Sequence, residues 1–345
     1  MKLFAVSAVA SLIISLAGSA PAHDEKKDKS GEKIERSMTV DAQATVTLCV
    51  ASGTLNVRGW DKNEVRVRSL DAAQLDFRRI DKTKDTSKPA TRVDVMVFNK
   101  KILEDPKLDC QAIADVEMDV PAGATVQVQT RDGDITISGV AGAYAGSQNG
   151  DITIERATKI VEAGSVGGSI FLKESSGRVS LSSAGGGVEV VNVRPATSED
   201  TFEVGTVSGD IHLDRVSNPK VTAKTVNGTV TMTGPLTKAG YYGFTNVTGD
   251  VVLALPSDAS FHLNAKVSEK HNIVSDFKLT YLNEVPPPPP AGVVKPRSPE
   301  NTPKPPAPVP MVVPNVLRRV NAVCGSGDAT LSIASFGGTI RIKKI

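Results

Sequence analysis

The chain is predicted to be an all-β protein, a single-stranded, β-helix-like solenoid with an N-terminal β-strand region and a disordered proline-rich insert. Three observations predict it. A short phrase recurs after a glycine turn, reading DGDITI at 132–137, NGDITI at 149–154, SGDIHL at 208–213, NGTVTM at 227–232 and TGDVVL at 248–253. The turn glycines Gly133, Gly150 and Gly168 fall 17 and 18 residues apart. Gly177 and Gly187 follow at about half that spacing, and Gly209, Gly228 and Gly249 resume at 22, 19 and 21. Aromatics make up only 4% of a chain with 29 glycines, a composition that favours turns and β-branched packing over bulky side chains. Such a period fits stacked coils, none of which can bury its apolar side alone, better than propeller blades of about 40 to 45 residues.

Residues 1–22 carry Lys2, an apolar run from Leu3 to Leu16 and the small residues Gly18, Ser19, Ala20 and Ala22. That is the form of a secretory signal peptide cleaved after Ala22, so the mature chain is expected in the periplasm, on the cell surface or outside the cell. No later run is long and apolar enough to span a bilayer, so no integral membrane segment is expected after cleavage. Residues 23–36 are nearly all charged or small and read as a flexible leader. From residue 37 to 284 the alternation Val46, Leu48, Val50, then Leu55, Val57, then Val65, Val67 marks half-buried strands that lead into the repeats.

Within the repeats the apolar pairs Ile135/Ile137, Ile152/Ile154, Ile170/Leu172, Val179/Leu181, Val188/Val190, Ile211/Leu213, Val230/Met232 and Val251/Leu253 should point inward. Each pair brackets one outward residue: Thr136, Thr153, Phe171, Ser180, Glu189, His212, Thr231 and Val252. Counted one strand per rung at about 4.8 Å, eight to ten rungs make a stack of roughly 40 to 50 Å. The glycines are expected at the corners because glycine reaches positive φ without steric cost, with Asp and Asn serving the same bends. Residues 285–314 are proline-rich and cannot enter a sheet. The repeat pattern resumes at 315–345 with Leu331, Ile333, Ile340 and Ile342, so the insert is read as an excursion from one solenoid and 315–345 as its closing rungs.

The chain has 40 basic and 38 acidic residues, which lacks the basic footprint of a nucleic-acid binder. Of three cysteines, Cys49 and Cys110 are the chosen disulfide pair, since both lie near N-terminal strands whereas Cys324 follows the insert; other pairings stay open. The four histidines, His23, His212, His262 and His271, show no metal-ligand spacing, and there is no Cys-x-x-Cys. Asp132, Asp134 and Asp151 could converge on calcium, but the tandem nonapeptide motif of calcium-binding coils is absent. No metal, cofactor or catalytic residue is therefore assigned. His212, with Asp210 two residues before it, is a candidate acid–base group against the plainer reading of a solvated histidine. Tyr241, Tyr242 and Phe244 form an aromatic cluster that either stacks a sugar or covers a corner. The outward binding candidates are thus Thr136, Thr153, Phe171, His212, Thr231, Tyr241 and Tyr242.

The phrases SGTLNVRGWDKNEVRV at 52–67, DVPAGATVQVQTRDGDITI at 119–137, VSDF at 274–277 and the closing GSGDATLSIASFGGTIRIKK resemble the bacterial exported β-strand-repeat family labelled "putative adhesin", a domain of otherwise unknown function. The resemblance spans about Thr39 to Lys344 and implies a coil-like β protein at the cell envelope or outside the cell. It brings no catalytic residues. The first functional reading is non-enzymatic: adhesion to, or scaffolding of, an envelope protein or glycan through a Thr- and Ser-rich face. The alternatives are a polysaccharide lyase or hydrolase on the same coil, and an accessory protein of an envelope-stress system that binds its partner by edge addition.

Overall fold

The computed structural model describes residues 33–81, 87–99, 110–268, 272–282 and 317–345. The expected signal peptide, most of the charged leader, His23, His271 and the proline-rich insert lie outside the described residues. The N-terminal strands are β1 (Ile34–Ser52), β2 (Leu55–Trp60), β3 (Glu64–Ser69), β4 (Gln74–Arg79), β5 (Ala90–Phe98) and β6 (Val116–Pro121). The repeats supply β7 (Thr125–Asp132), β8 (Ile135–Ser138), β9 (Gly142–Ser147), β10 (Ile152–Glu155), β11 (Ile160–Ser165), β12 (Ile170–Lys173) and β13 (Arg178–Ser183). They continue with β14 (Val188–Val193), β15 (Thr201–Ser208), β16 (Ile211–Val216), β17 (Lys220–Asn227), β18 (Val230–Thr233), β19 (Tyr241–Thr248) and β20 (Val251–Leu255). Last come β21 (Phe261–Ser268), β22 (Ile273–Ser275), β23 (Thr280–Tyr281), β24 (Leu317–Cys324), β25 (Ala329–Gly337) and β26 (Ile340–Lys344). No helix among the described residues is long and apolar enough to cross a membrane.

The fold is an all-β solenoid of parallel strands. Each coil contributes two strands, one to each of two facing sheets; of the apolar pairs that spacing counts as successive rungs, Val179/Leu181 lies on sheet II and the other seven stack on sheet I. In sheet I, β8, β10, β12, β14, β16, β18 and β20 stack in parallel, and in sheet II, β7, β9, β11, β13, β15, β17 and β19 do the same. Register is kept by the apolar pattern: Ile135, Ile152, Ile170, Val188, Ile211, Val230 and Val251 lie side by side, all fully buried. A slip of one residue would turn each of them to solvent. Every inward pair predicted from alternation is in the core. That core is not free of large aromatics, however: Phe202, Tyr242, Phe244 and Phe261 are fully buried on sheet II strands.

Both ends of the stack depart from chain order. The β1/β2 coil sits between the β5/β6 coil and the β7/β8 coil, because β1 pairs with β5 and β7 while β2 pairs with β6 and β8. At the other end β25 lies between β19 and β21, and β26 between β20 and β22. Of the residues read as closing rungs, β25 and β26 therefore slot in one coil from the end, with β21 and β22 outside them and β24 antiparallel beyond β21. The charged leader also ends earlier than expected: Ile34, Glu35 and Arg36 belong to β1 and pair with Ser69, Arg68 and Val67 of β3, with Ile34 packed on the core.

The corner from sheet II to sheet I explains the recurring phrase. Gly133, Gly150, Gly168, Gly186, Gly209, Gly228, Gly249 and Gly338 form a column in which an added Cβ would fall 1.7 to 2.4 Å from the carbonyl oxygen of the glycine in the adjacent coil. Among these only Gly249 has positive φ. Close approach of backbones, not left-handed conformation, is the main demand, which corrects the expectation from turn chemistry. Beside the glycines, the Asp carboxylates cap the next coil: Asp134 Oδ1 accepts from Asp151 N–H (2.9 Å), Asp151 Oδ1 from Ser169 N–H (2.7 Å), Asp210 Oδ1 from Thr229 N–H (2.7 Å) and Asp250 Oδ1 from Thr339 N–H (2.8 Å). Inside the corner a buried hydroxyl ladder ties the glycines: Ser165, Ser183, Thr206 and Thr225 donate to the carbonyls of Gly150, Gly168, Gly186 and Gly209 at 2.9 to 3.2 Å. These four hydroxyls are thus paired although buried, whereas Thr130 Oγ1 and Asn246 Oδ1 of the same column are buried without a partner.

A disulfide joins Cys49 to Cys110 across 61 residues of sequence. Closing that loop contributes about 4 kcal/mol in the chain-entropy model. Cys324 is free and buried, and burial pushes its thiol above the ordinary value, which leaves it a small core residue rather than a nucleophile.

Candidate functional site

Solvent-facing residues of sheet I align into a column across the coils. Thr136, Thr153, Phe171, Glu189, His212, Thr231, Val252 and Arg341 are register partners from β8 to β26. Five of the sequence-predicted candidates, Thr136, Thr153, Phe171, His212 and Thr231, therefore share one face. Ser180 does not join them: it lies on β13 of sheet II, beside Glu162 and Glu203. Tyr241 is exposed on sheet II, next to Lys220 and Thr330. Tyr242 is not a surface residue at all. Its ring is fully buried and its hydroxyl accepts from Thr237 N–H at 2.7 Å, because strict alternation along β19 sends Tyr242 and Phe244 inward.

His212 is exposed, with Glu189 as its register neighbour on one side and Thr231 on the other. Asp210, the carboxylate paired with it from sequence, caps Thr229 instead. Asp132 accepts from Asn149 Nδ2 and Arg131 Nε, which hold its carboxyl below the ordinary value. With Asp134 and Asp151 occupied as caps, the three acids weighed for calcium each have a structural partner, and no metal-ligand group of three is found among the described residues. On sheet II, Gly146 and Gly164 leave a shallow depression of about 390 Å³ walled by Gln127, Gln129, Tyr144, Glu162 and Ser182.

The structure assembles one further cluster that no local pattern announces. Asp119 on β6 lies between Arg58 of β2 and Arg66 of β3 on the outer face of sheet I. Arg58 Nε and Nη2 donate to Oδ1 at 3.1 and 2.9 Å, and Arg66 Nε and Nη2 donate to Oδ2 at 3.0 and 2.7 Å. Arg68 Nη2 lies 3.1 Å from the same oxygen and its Nε 3.1 Å from Glu117. The Arg66 guanidinium also stacks 4.6 Å from the Trp60 ring. Burial opposes ionisation of Asp119, but the hydrogen bonds from Arg66 and Arg58, with the charge of Arg68, together outweigh it and hold the carboxyl below its ordinary value. The group is an anchor for the N-terminal end of sheet I, since one carboxylate on β6 ties β2, which runs parallel to it, to β3, which runs antiparallel.

A carboxyl lowered in the folded state stabilises above its unfolded pKa, and that contribution is lost as pH falls through the folded value. Asp119→Asn is therefore expected to cost about 2 to 4 kcal/mol near neutrality, because three guanidinium groups lose their shared acceptor. The gap between the native chain and the variant should narrow once pH drops below the ordinary carboxyl range. Thermal melts of both proteins across the acidic range check it; a gap independent of pH would remove the ionic explanation.

A family model, Toastrack DUF4097, matches residues 15–270. No curated protein matches the chain. Among solved structures, a putative cell adhesion protein from Clostridium sporogenes is 10% identical, with 91% of this chain and 100% of that one covered at a TM-score of 0.22. A putative adhesin from Parabacteroides merdae is 9% identical, with 66% and 91% covered at a TM-score of 0.39. The family match covers most of the sequence and coincides with the strand repeats described above, and on that match the chain belongs to the Toastrack DUF4097 family.

Proposed function

We propose that the protein is a non-enzymatic, exported binding module that uses the outer face of sheet I for adhesion to, or scaffolding of, a protein or glycan of the cell envelope. One observation carries this reading: Thr136, Thr153, Phe171, Glu189, His212 and Thr231 form a continuous row on an open face, while Asp134, Asp151, Asp210 and Asp250 are engaged in capping bends. Polar side chains repeated at about 4.8 Å, with hydroxyls at Thr136, Thr153 and Thr231 on either side of Phe171, Glu189 and His212, suit an extended polymer lying along the stack.

The test is binding of the fluorescently labelled chain to isolated cell envelopes. Saturable binding is expected, and the double variant Thr153→Arg/Thr231→Arg should weaken it about tenfold while melting at the same temperature. Binding indifferent to the double variant would overturn the assignment of this face. Shortening of envelope glycans during the incubation would favour a carbohydrate-active enzyme, for which the Glu189 and His212 neighbours would be the first residues to replace.

A further inference from the structure

Sheet II has an outer face of a different kind. At the ends of its strands Val166, Ala184, Val207, Val226, Val247 and Phe336 are aligned by register across six successive coils. All six are solvent-exposed, and the five larger ones keep 39% to 59% of their surface in water. A single exposed valine needs no explanation, but an unbroken apolar line marks a contact surface. The column beside it is Gly164, Ser182, Gly205, Lys224, Thr245 and Ala334, small residues apart from Lys224, which leaves the apolar line standing clear of its neighbours along most of its length.

We propose that this face pairs with the same face of a second copy of the chain, the two stacks running in opposite directions. Three features single out a second copy. A two-fold axis parallel to the strands, centred between β15 and β17, lays the apolar column on itself: Val207 meets the partner's Val226, Ala184 meets the partner's Val247, and Val166 meets the partner's Phe336. The same operation sets exposed Glu203 against the partner's Thr222, which is flanked along β17 by Lys220 and Lys224. Charge is therefore complementary under reversal of the stacks, and an isologous contact contains this ion pair twice. The area is at the low end of a standard complex. From β9, which faces the partner's β21, the face spans eight coils, about 34 Å, by strands about 20 Å long, on the order of 670 Å² of plane against the roughly 600 to 1,000 Å² that each partner of a standard complex buries. The Thr- and Phe-bearing faces of both sheets I would then point outward, which makes the assembly bivalent for whatever they bind.

Sedimentation velocity of the purified chain over a range of concentrations tests this directly. A dimer is expected, converted to monomer by Val226→Asp with an unchanged circular dichroism spectrum and melting temperature. Glu203→Lys and Lys224→Glu should each weaken the dimer about tenfold, and the two together should restore it to within a few-fold of the native chain. A monomer at every concentration, or a dimer indifferent to Val226→Asp, overturns the proposal. A double charge variant no better than the singles overturns the reversed orientation. A monomer whose envelope binding is lost in Val226→Asp would replace the second copy by a foreign partner.

Discussion

Ile152→Asp is expected to abolish folding, whereas Thr153→Asp, one residue further along the same strand, should leave a soluble and folded protein. Ile152 is fully buried between its register partners Ile135 and Ile170, themselves fully buried. Loss of its burial forfeits about 1.5 to 3 kcal/mol. The larger effect is the carboxylate, which would sit among apolar side chains with no donor in reach and cost several kcal/mol more, whether it stays charged or takes up a proton. Together these reach the whole stability of a typical domain. The damage also spreads, because each coil is held chiefly by its neighbours on either side. Thr153 lies on the opposite side of the same backbone, half-exposed between Thr136 and Phe171, and an Asp there can hydrate; its cost should stay below about 1 kcal/mol. Soluble yield and circular dichroism of both variants decide the matter, and equal behaviour would overturn the inside–outside assignment.

That contrast was open to inspection in the amino-acid order because a strand obeys a local rule: alternate residues face opposite ways, and the glycine turn restarts the count. The same rule turns Tyr242 and Phe244 inward, so the expectation of an outward Tyr242 fails on parity, and of the two adjacent tyrosines only Tyr241 faces solvent. What local rules do not carry is order in space. Nothing near Leu331 or Ile340 says that β25 and β26 intercalate between β19/β20 and β21/β22, since that depends on which edge remains free when the chain returns from the insert. Asp119 was illegible for the same reason. Its partners stand 61 and 53 residues earlier, and a capping carboxylate between arginines exists only once β2, β6 and β3 lie side by side. The sheet II column is intermediate: each valine follows the strand pattern, but their alignment into one line emerges only from the register.

The glycines give the second large effect, and they separate a conformational cause from a steric one. Gly168→Ala is expected to cost about 3 to 5 kcal/mol and to lower the melting temperature by on the order of 10 °C. Its φ is not positive, so alanine could adopt the backbone conformation. The obstacle is the neighbouring coil, where the new Cβ would fall 2.0 Å from the Gly150 carbonyl oxygen, 2.4 Å from its carbon and 2.9 Å from Asp151 N. Those atoms have nowhere to go. Gly150 is itself stacked on Gly133, its carbonyl accepts from Ser165, and Asp151 N–H donates to Asp134, so relief at one coil strains the hydrogen bonds of the next. Gly146→Ala is the control, since it also lacks positive φ but its Cβ would meet only Gln129 Cγ at 3.7 Å on the outer face of sheet II. There alanine should be neutral or stabilise by about 0.4 to 1 kcal/mol, by reducing the freedom of the unfolded chain. Paired thermal melts of the two alanine variants test the distinction. Were both to destabilise alike, the repeat glycines would be answering a demand of backbone conformation; a large loss at Gly168 alone means that the spacing between coils, fixed where glycine rests on glycine, is what the recurring phrase encodes.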